Sequence, residues 1–366
     1  MHNFCIFAPV MDGTFAQIIE KWYLANRREL PWRETRDPYR IWVSEVILQQ
    51  TRVAQGLDYY NRFLQRFPTV QSLAQAPLDE VLRLWQGLGY YSRARNMHLA
   101  ARQVCQAGPS FPDTYQGIRS LSGIGDYTAS AIMSLAYDQP YAVVDGNVYR
   151  VLSRTQGIDT PIDSTQGRKL FATLAQELLD KEHPALYNQA IMDFGAMQCT
   201  PRGCDCQACP LLHHCVAFRE KRADELPVKS HRTHVRQRHL IYIMVCDADH
   251  LLLRRRGKGD IWEGLYDMPL IESPGPRDAG SIMEEPWVRT LLASGARLTL
   301  RASGLRHQLT HQTLLTDFYE LLLPGRLDTW MTHHAAEAGL TDYQCIPRSR
   351  LDHYGMSRLM LQLLSH

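Results

Sequence analysis

Apolar residues recur at three- and four-residue spacing in "FAQIIEKWYLA" (15–25), "IWVSEVILQQT" (41–51), "LDEVLRLWQGL" (78–88), "GRKLFATLAQELL" (167–179) and "YNQAIMDFGAM" (187–197). That period predicts amphipathic helices, separated by Pro and Gly at "RFPTV", "QAPLD" and "AGPSFPDT". The pattern changes after Cys215. The stretch 218–238, "FREKRADELPVKSHRTHVRQR", has few large apolar residues and an excess of basic ones, and is expected to be a linker. Beyond it "HLIYIMV", "HLLLRRR", "RLTLRA" and "TLLTDFYELLL" predict strands. The expected organisation is an all-α domain (1–217), a basic linker (218–238) and a smaller α+β domain (239–366).

Composition adds little to that division. With 366 residues, 45% hydrophobic and 21% charged, the chain suits two soluble domains. No apolar run approaches the roughly 20 residues of a membrane span. The start, "MHNFCIFAPVMDGTF", lacks a basic n-region and a small-residue cleavage site, so a cytosolic protein is expected. Translation could begin at Met1 or Met11, since "MDGTFAQ" leads straight into the first helical pattern. A net charge of +2 hints only weakly at an anionic partner.

The candidate chemistry begins with "CTPRGCDCQACPLLHHC" (199–215), which holds five of the nine cysteines. In a reducing cytosol such a cluster points to metal rather than disulfides. Cys199, Cys206, Cys209 and Cys215 have the spacing C-x6-C-x2-C-x5-C. Only one pair is a short C-x2-C knuckle, which favours a [4Fe–4S] cluster over tetrahedral zinc and leaves zinc as the alternative. Cys204 is expected to be a bystander, and Cys5, Cys105, Cys246 and Cys345 to be small hydrophobes.

Two further signals are local. In "SLSGIGDYTASAIMSLA" (120–136) Gly123 and Gly125 flank an apolar residue just before a helix, a turn that could offer backbone N–H groups to a phosphate or be no more than a turn. In "YAVVDGNVYRV" (141–151) Asp145 ends an apolar run, and alone it would read as a helix cap. Glu45, however, lies on the apolar stripe of 41–51, four residues after Ile41 and three before Leu48. A core-facing Glu is unfavourable unless paired or functional, and desolvation raises its pKa. A raised-pKa acid beside an ionised carboxylate is the pairing used to break a glycosidic bond.

Taken with "LPWR" (30–33), "SEVILQQT" (44–51), "GLGYYSRARN" (87–96), "LSGIGDYTA" (121–129), "VVDGNVYRVLSR" (143–154) and "YNQAIMDFGAMQCT" (187–200), these features resemble the helix-hairpin-helix DNA glycosylase superfamily with an iron–sulfur cluster. The finer resemblance is to the MutY-type adenine DNA glycosylases. It implies a helix-hairpin-helix at 121–136, a [4Fe–4S] loop at 199–215 and a following NUDIX-like domain. The implied reaction is monofunctional removal of adenine opposite 8-oxoguanine or guanine in base excision repair. The implied partner is double-stranded DNA carrying that mispair, met by a monomer associated with the nucleoid.

By that resemblance Glu45 protonates the adenine ring at N7, and Asp145 stabilises the sugar cation or adds to it before water attacks. Tyr127 and Asn147 position Asp145 and the water. Trp32, Arg33, Leu48 and Gln189 line the adenine pocket, with Trp32 the one most open to a purely structural reading. Gln50 and Tyr90 wedge into the duplex, and Gly123, Gly125 and the Thr128 hydroxyl grip a phosphate. The endonuclease III branch shares the fold and cluster but places a lysine nucleophile where this chain has Tyr127, so weak or absent lyase activity is implied.

In the C-terminal part "KGDIWEGLYDMPLIE" (258–272) resembles the NUDIX-like region, while the magnesium-binding NUDIX hydrolase signature is absent, so binding rather than hydrolysis is expected. "RHQLTHQTL" (306–314) matches the family's lesion-contacting hairpin, usually Phe-Ser-His and here Leu309, Thr310 and His311. A pyrimidine glycosylase and a non-catalytic DNA binder or redox sensor are the competing readings. Tyr127 and the extra domain disfavour the first, and the two costly carboxylates disfavour the second.

Overall fold

The computed structural model describes residues 13–230 and 235–366. Both candidate start sites, and Cys5, therefore lie outside the described residues. The helices are α1 (Phe15–Asn26), α2 (Pro38–Leu48), α3 (Val53–Arg66), α4 (Val70–Gln75), α5 (Leu78–Leu84), α6 (Ser92–Ala107), α7 (Tyr115–Arg119), α8 (Asp126–Tyr137), α9 (Gly146–Gln156), α10 (Thr165–Leu178), α11 (Pro184–Asp193) and α12 (Val216–Arg219). After them come β1 (Arg236–Cys246), β2 (His250–Arg255), β3 (Tyr266–Asp267), β4 (Leu270–Ser273), α13 (Ala279–Met283), α14 (Pro286–Ala293), β5 (Arg297–Gln308), β6 (Gln312–Leu322), α15 (Leu327–His334), β7 (Gln344–Pro347) and α16 (Arg358–Leu364). The helical, then sheet-containing order matches the expectation. Among the described residues no helix is long and apolar enough to cross a membrane.

The chain forms two compact units. One holds the chain up to Ala74 and again from Leu99 through the rest of the helical part; the other holds Gln75–His98 with the C-terminal part. Residues 75–98, which the sequence groups with the helical domain, thus belong to the second unit. Within it Tyr91 Oη donates to Met356 O (3.3 Å), Arg255 pairs with Asp79 (2.6 Å), and Arg95 Nη1 donates to Glu263 O (2.7 Å).

The helical unit positions its site through helix ends. Asp37 caps α2 by accepting from Tyr39 N, and Pro38 starts the helix without an orphan donor. Helix α2 is buried on nearly every side, Glu45 included, and α8 is equally enclosed from Thr128 to Leu135. Helix α9 starts on Asp145 as its N-cap and ends at Gly157, whose φ of 69° and tight approach to Val216 both require glycine. The segment expected to be a linker is in part packed on this unit. Leu226 is buried, Val228 O accepts from Ile162 N (3.0 Å), and Ser230 binds Asp163. A single apolar side chain and a few backbone bonds suffice to tie down a stretch whose composition is basic and polar.

The second unit is built on a seven-stranded sheet of order β3-β2-β1-β6-β5, with β4 on β1 and β7 on β2. β1 and β6 are parallel, from Arg236 opposite Gln312 to Cys246 opposite Leu322. Alternate residues of β1 enter two cores. Ile241, Ile243 and Val245 pack with Val288, Leu291 and Trp330, while Leu240, Tyr242 and Met244 pack with Phe318, Leu359 and Leu363. Burial on both faces is why "HLIYIMV" is a continuous apolar run rather than an alternating one. Of the scattered cysteines Cys246 is buried and Cys105 and Cys345 are half-buried.

Candidate active site

A cavity of about 390 Å³ opens in the helical unit, and its walls include Glu45, Tyr127, Asp145 and Asn147 together with Trp32, Arg33, Leu48, Gln50 and Gln189. Nine residues selected from separate motifs therefore meet in one hollow. Its volume lies within the range of small-molecule sites.

The two carboxyls are held differently. Glu45 projects from the buried body of α2, and burial, then the charge of Asp145, raises its pKa to about 7 against the opposing pull of Tyr127 and Arg33. Asp145 sits at the N-terminus of α9. Its Oδ1 accepts from Asn147 N (2.9 Å) and Val148 N (2.8 Å), and its Oδ2 accepts from Asn147 Nδ2 (2.8 Å). Burial raises its pKa too, but these donors and Arg150 oppose the shift and favour the anion. Two neighbouring carboxyls with unlike surroundings can divide acid and anion roles. Tyr127 Oη lies within hydrogen-bonding reach of Glu45 and 3.3 Å from Met192 Sδ. Burial holds that phenol well above its ordinary pKa, so it is neutral and no nucleophile.

A supporting layer escaped the sequence reading. Arg150, buried on α9, donates to Asn147 Oδ1 (2.9 Å), Gly195 O (2.5 Å) and Cys199 O (2.7 Å). Gly195 lies in a π turn (Phe194–Gln198), where a Cβ would come within 2.6 Å of Asn147 Cβ. Tyr23 Oη donates to Gln189 Oε1 (2.6 Å), and Asp193 accepts from both Arg28 and Arg33. Trp32 lines the cavity while stacking edge-on against Tyr60, which gives it a structural contact as well.

Gln50 is exposed in the turn after α2, at a φ of 59°. Gly123 has a φ of 76°, and Gly125 caps α8 with open space where a side chain would be. Thr128 does not join them: it is 2% exposed, and its Oγ1 accepts from Gln49 Nε2 (3.4 Å). The hydroxyl faces the interior, so it is not available to a phosphate at the hairpin. Thr128 opens the run of α8, through Leu135, that is buried on every side, and the small and apolar residues of that run carried the signal.

In the second unit a separate hollow of about 420 Å³ is lined by Tyr90, Trp262, Leu309, Thr310 and His311. Tyr90, at a φ of 46°, makes a hydroxyl–hydroxyl contact with Thr310. Trp262 was not anticipated; Arg238 anchors its loop through Asp260 (2.7 and 2.9 Å).

Around the cysteine loop, Cys199, Cys204, Cys206, Cys209 and Cys215 line one small hollow with Arg154. Arg154 Nη1 donates to Cys199 Sγ (3.4 Å), and Cys204 Sγ lies 3.6 Å from Cys206 Sγ. Among the described residues no three His, Cys, Asp or Glu side chains meet around one ion-sized point; the sulfurs share a wider hollow. Burial pushes the Cys206 thiol up to about 11 and the Cys209 thiol to about 12, so binding of iron would displace protons there. Soft sulfur donors facing one hollow beside a cationic side chain fit a cluster of thiolate-ligated iron.

Residues 43–177 match the model of the HhH-GPD superfamily of base excision DNA repair proteins, and residues 240–366 match that of the NUDIX domain. The chain is 31% identical over 302 residues to an adenine DNA glycosylase of Buchnera aphidicola (subspecies Schizaphis graminum), covering 82% of this chain and 85% of that protein. It is 43% identical over 232 residues to the adenine DNA glycosylase of Mus musculus, covering 60% of this chain and 45% of the mouse protein's length. Among solved structures, a thermostable thymine-DNA glycosylase superposes with a TM-score of 0.52 at 28% identity, over 56% of this chain and 95% of that one. The chain belongs to the adenine DNA glycosylase family, joining a helical base-excision domain to a NUDIX-type domain.

Proposed function

We propose that the protein removes adenine from DNA where it stands opposite 8-oxoguanine or guanine, by hydrolysis of the N-glycosidic bond. The observation that carries this is the shared cavity of Glu45 and Asp145, one a buried acid and the other an N-capping carboxylate. The reacting bond is inaccessible within the base stack, so the nucleotide must be extruded into that cavity.

Glu45, protonated up to about pH 7, gives its proton to adenine N7 and turns the base into a neutral leaving group. The C1′–N9 electron pair leaves with adenine. Asp145 stabilises the resulting oxocarbenium ion, or adds to C1′ before water replaces it, and the water's proton passes to a carboxylate. Asn147 orients Asp145 through its amide. Trp32, Arg33, Leu48 and Gln189 form the walls against which the base is selected. No amine stands at position 127, so strand cleavage by a Schiff base is not expected.

Gln50 and Tyr90 both hold left-handed backbone, a strained state that supports a role in prying the duplex apart. Backbone N–H groups between Gly123 and α8 are suited to a target-strand phosphate. Tyr90, Leu309, Thr310 and His311 would read the base opposite adenine. Cys199, Cys206, Cys209 and Cys215 would hold a [4Fe–4S] cluster, which supplies a cross-link that shapes the loop 199–215. The protein is read as a monomer acting on chromosomal DNA in the cytosol.

The test is release of free adenine from duplexes carrying adenine opposite 8-oxoguanine, guanine or thymine. The proposal expects release from the first two, none from the third, and strand breaks only after alkali. Equal release from all three would refute the mispair assignment.

A further inference from the structure

Asp193 ends α11 at the wall of the catalytic cavity, 1% exposed. Its Oδ1 accepts from Arg33 Nη2 at 2.6 Å and from Arg28 Nη2. Its Oδ2 is fully enclosed and has no hydrogen-bond partner. Arg33 is further tied to Arg28 O (3.1 Å) and lies over the Tyr23 ring (5.5 Å to its centroid). One carboxylate therefore gathers two guanidinium groups at the wall of the cavity that Glu45 also lines, leaving one positive charge in excess.

Glu45 faces the same space. The groups turned toward it are Tyr127 from α8, Asp145 from the start of α9, and Arg33 from the turn at Pro31–Arg33. Asp145 opposes ionisation of Glu45, while Arg33 and the Tyr127 hydroxyl promote it. A catalytic acid needs its proton when the base arrives, so an uncompensated guanidinium nearby works against the reaction. Asp193 is the group placed to offset that charge.

We propose that Asp193 is a positioning residue of the reaction, which holds Arg28 and Arg33 at the cavity wall and screens Glu45 from the charge of Arg33. The inference rests on Glu45 being the acid, as argued above. Its effect reaches the substrate only through the two arginines and Glu45, so Asp193 need not touch the base.

The experiment is the pH profile of single-turnover adenine release from an A:8-oxoguanine duplex, between about pH 5 and 9, for wild type, Asp193→Asn and Arg33→Gln. The first substitution keeps the side chain's shape and removes its charge. The expected result is an alkaline limb whose midpoint falls by about half a unit or more in Asp193→Asn and rises in Arg33→Gln. Should the first variant fail to fold, judged by thermal melting, the upward shift in Arg33→Gln carries the test. A midpoint unchanged in folded Asp193→Asn, or in Arg33→Gln where Asp193→Asn does not fold, overturns the inference, whatever the loss of rate, and leaves Glu45 as the acid. A wild-type profile that is flat across the range overturns the assignment of Glu45, and the inference falls with it.

Discussion

Arg150 and Asn147 are joined side chain to side chain, the guanidinium donating to the amide oxygen at 2.9 Å. That bond leaves the amide nitrogen of Asn147 to face Asp145 Oδ2, while the same guanidinium nitrogen also donates to Gly195 O and Nε donates to Cys199 O. The first residue of the cysteine motif and the carboxylate of the site are thus two side chains apart, although 54 positions separate Cys199 from Asp145 in the sequence.

Loss of Arg150 should therefore be felt at Asp145. Arg150→Met leaves buried carbonyls unpaired and frees the Asn147 amide to rotate. We expect a loss of roughly 2–4 kcal/mol in stability and of at least ~10-fold in single-turnover rate. Thermal melting and rapid-quench assays check the two parts, and a variant with native rate would refute the relay.

Glu45 sets stability against activity. Its folded pKa, about 7, lies above the ordinary 4.5, so the folded state binds more protons than the unfolded state between those values. Stability from this group is complete below about 4.5 and is lost as pH rises through 7. Glu45→Gln has no such loss. It should exceed wild type in stability at pH 8 by up to ~3 kcal/mol, and by much less at pH 5. Denaturant titrations at both pH values check this; a difference independent of pH would contradict it.

At the cysteine loop the expectation for Cys204 stands beside its geometry. Its sulfur lies 3.6 Å from that of Cys206 and lines the same hollow, yet it falls outside the four-cysteine spacing. Visible absorption and iron content of the purified variants should show the cluster retained in Cys204→Ser and lost in Cys206→Ser. Retention in both would mean that Cys204 can serve as a ligand.

Borohydride trapping separates hydrolysis from amine chemistry. Tyr127 offers a neutral phenol at a position where an attacking amine would have to stand. Wild type should give little covalent complex with an A:8-oxoguanine duplex. Efficient trapping would show that another amine attacks C1′.

The helices α1, α2, α5, α10 and α11 were readable from periodicity, because each buries residues that its spacing marks as apolar, and β1 was readable from its continuous apolar run. Glu45 was legible for the same reason, as a carboxyl on an apolar stripe. Residues 75–98 were not, since their membership in the second unit depends on pairs such as Asp79–Arg255 and Tyr91–Met356, which lie far apart in sequence. Tyr23, Arg150 and Asp193 were missed because a polar residue in a helix reads as a solvated face until its distant partner is known, and Arg28 because it stands in the basic, irregular stretch after α1. Thr128 was misplaced for the opposite reason: proximity to the glycine turn outweighed the small and apolar run it opens, which is buried on every side.

The central claim is that Glu45 and Asp145 together break the glycosidic bond. It is tested most directly with a labelled adenine opposite 8-oxoguanine, incubated with wild type, Glu45→Gln and Asp145→Asn and then treated with alkali. The account predicts alkali-dependent cleavage by wild type and its loss in each variant, with duplex binding retained. Cleavage that survives both substitutions would contradict it.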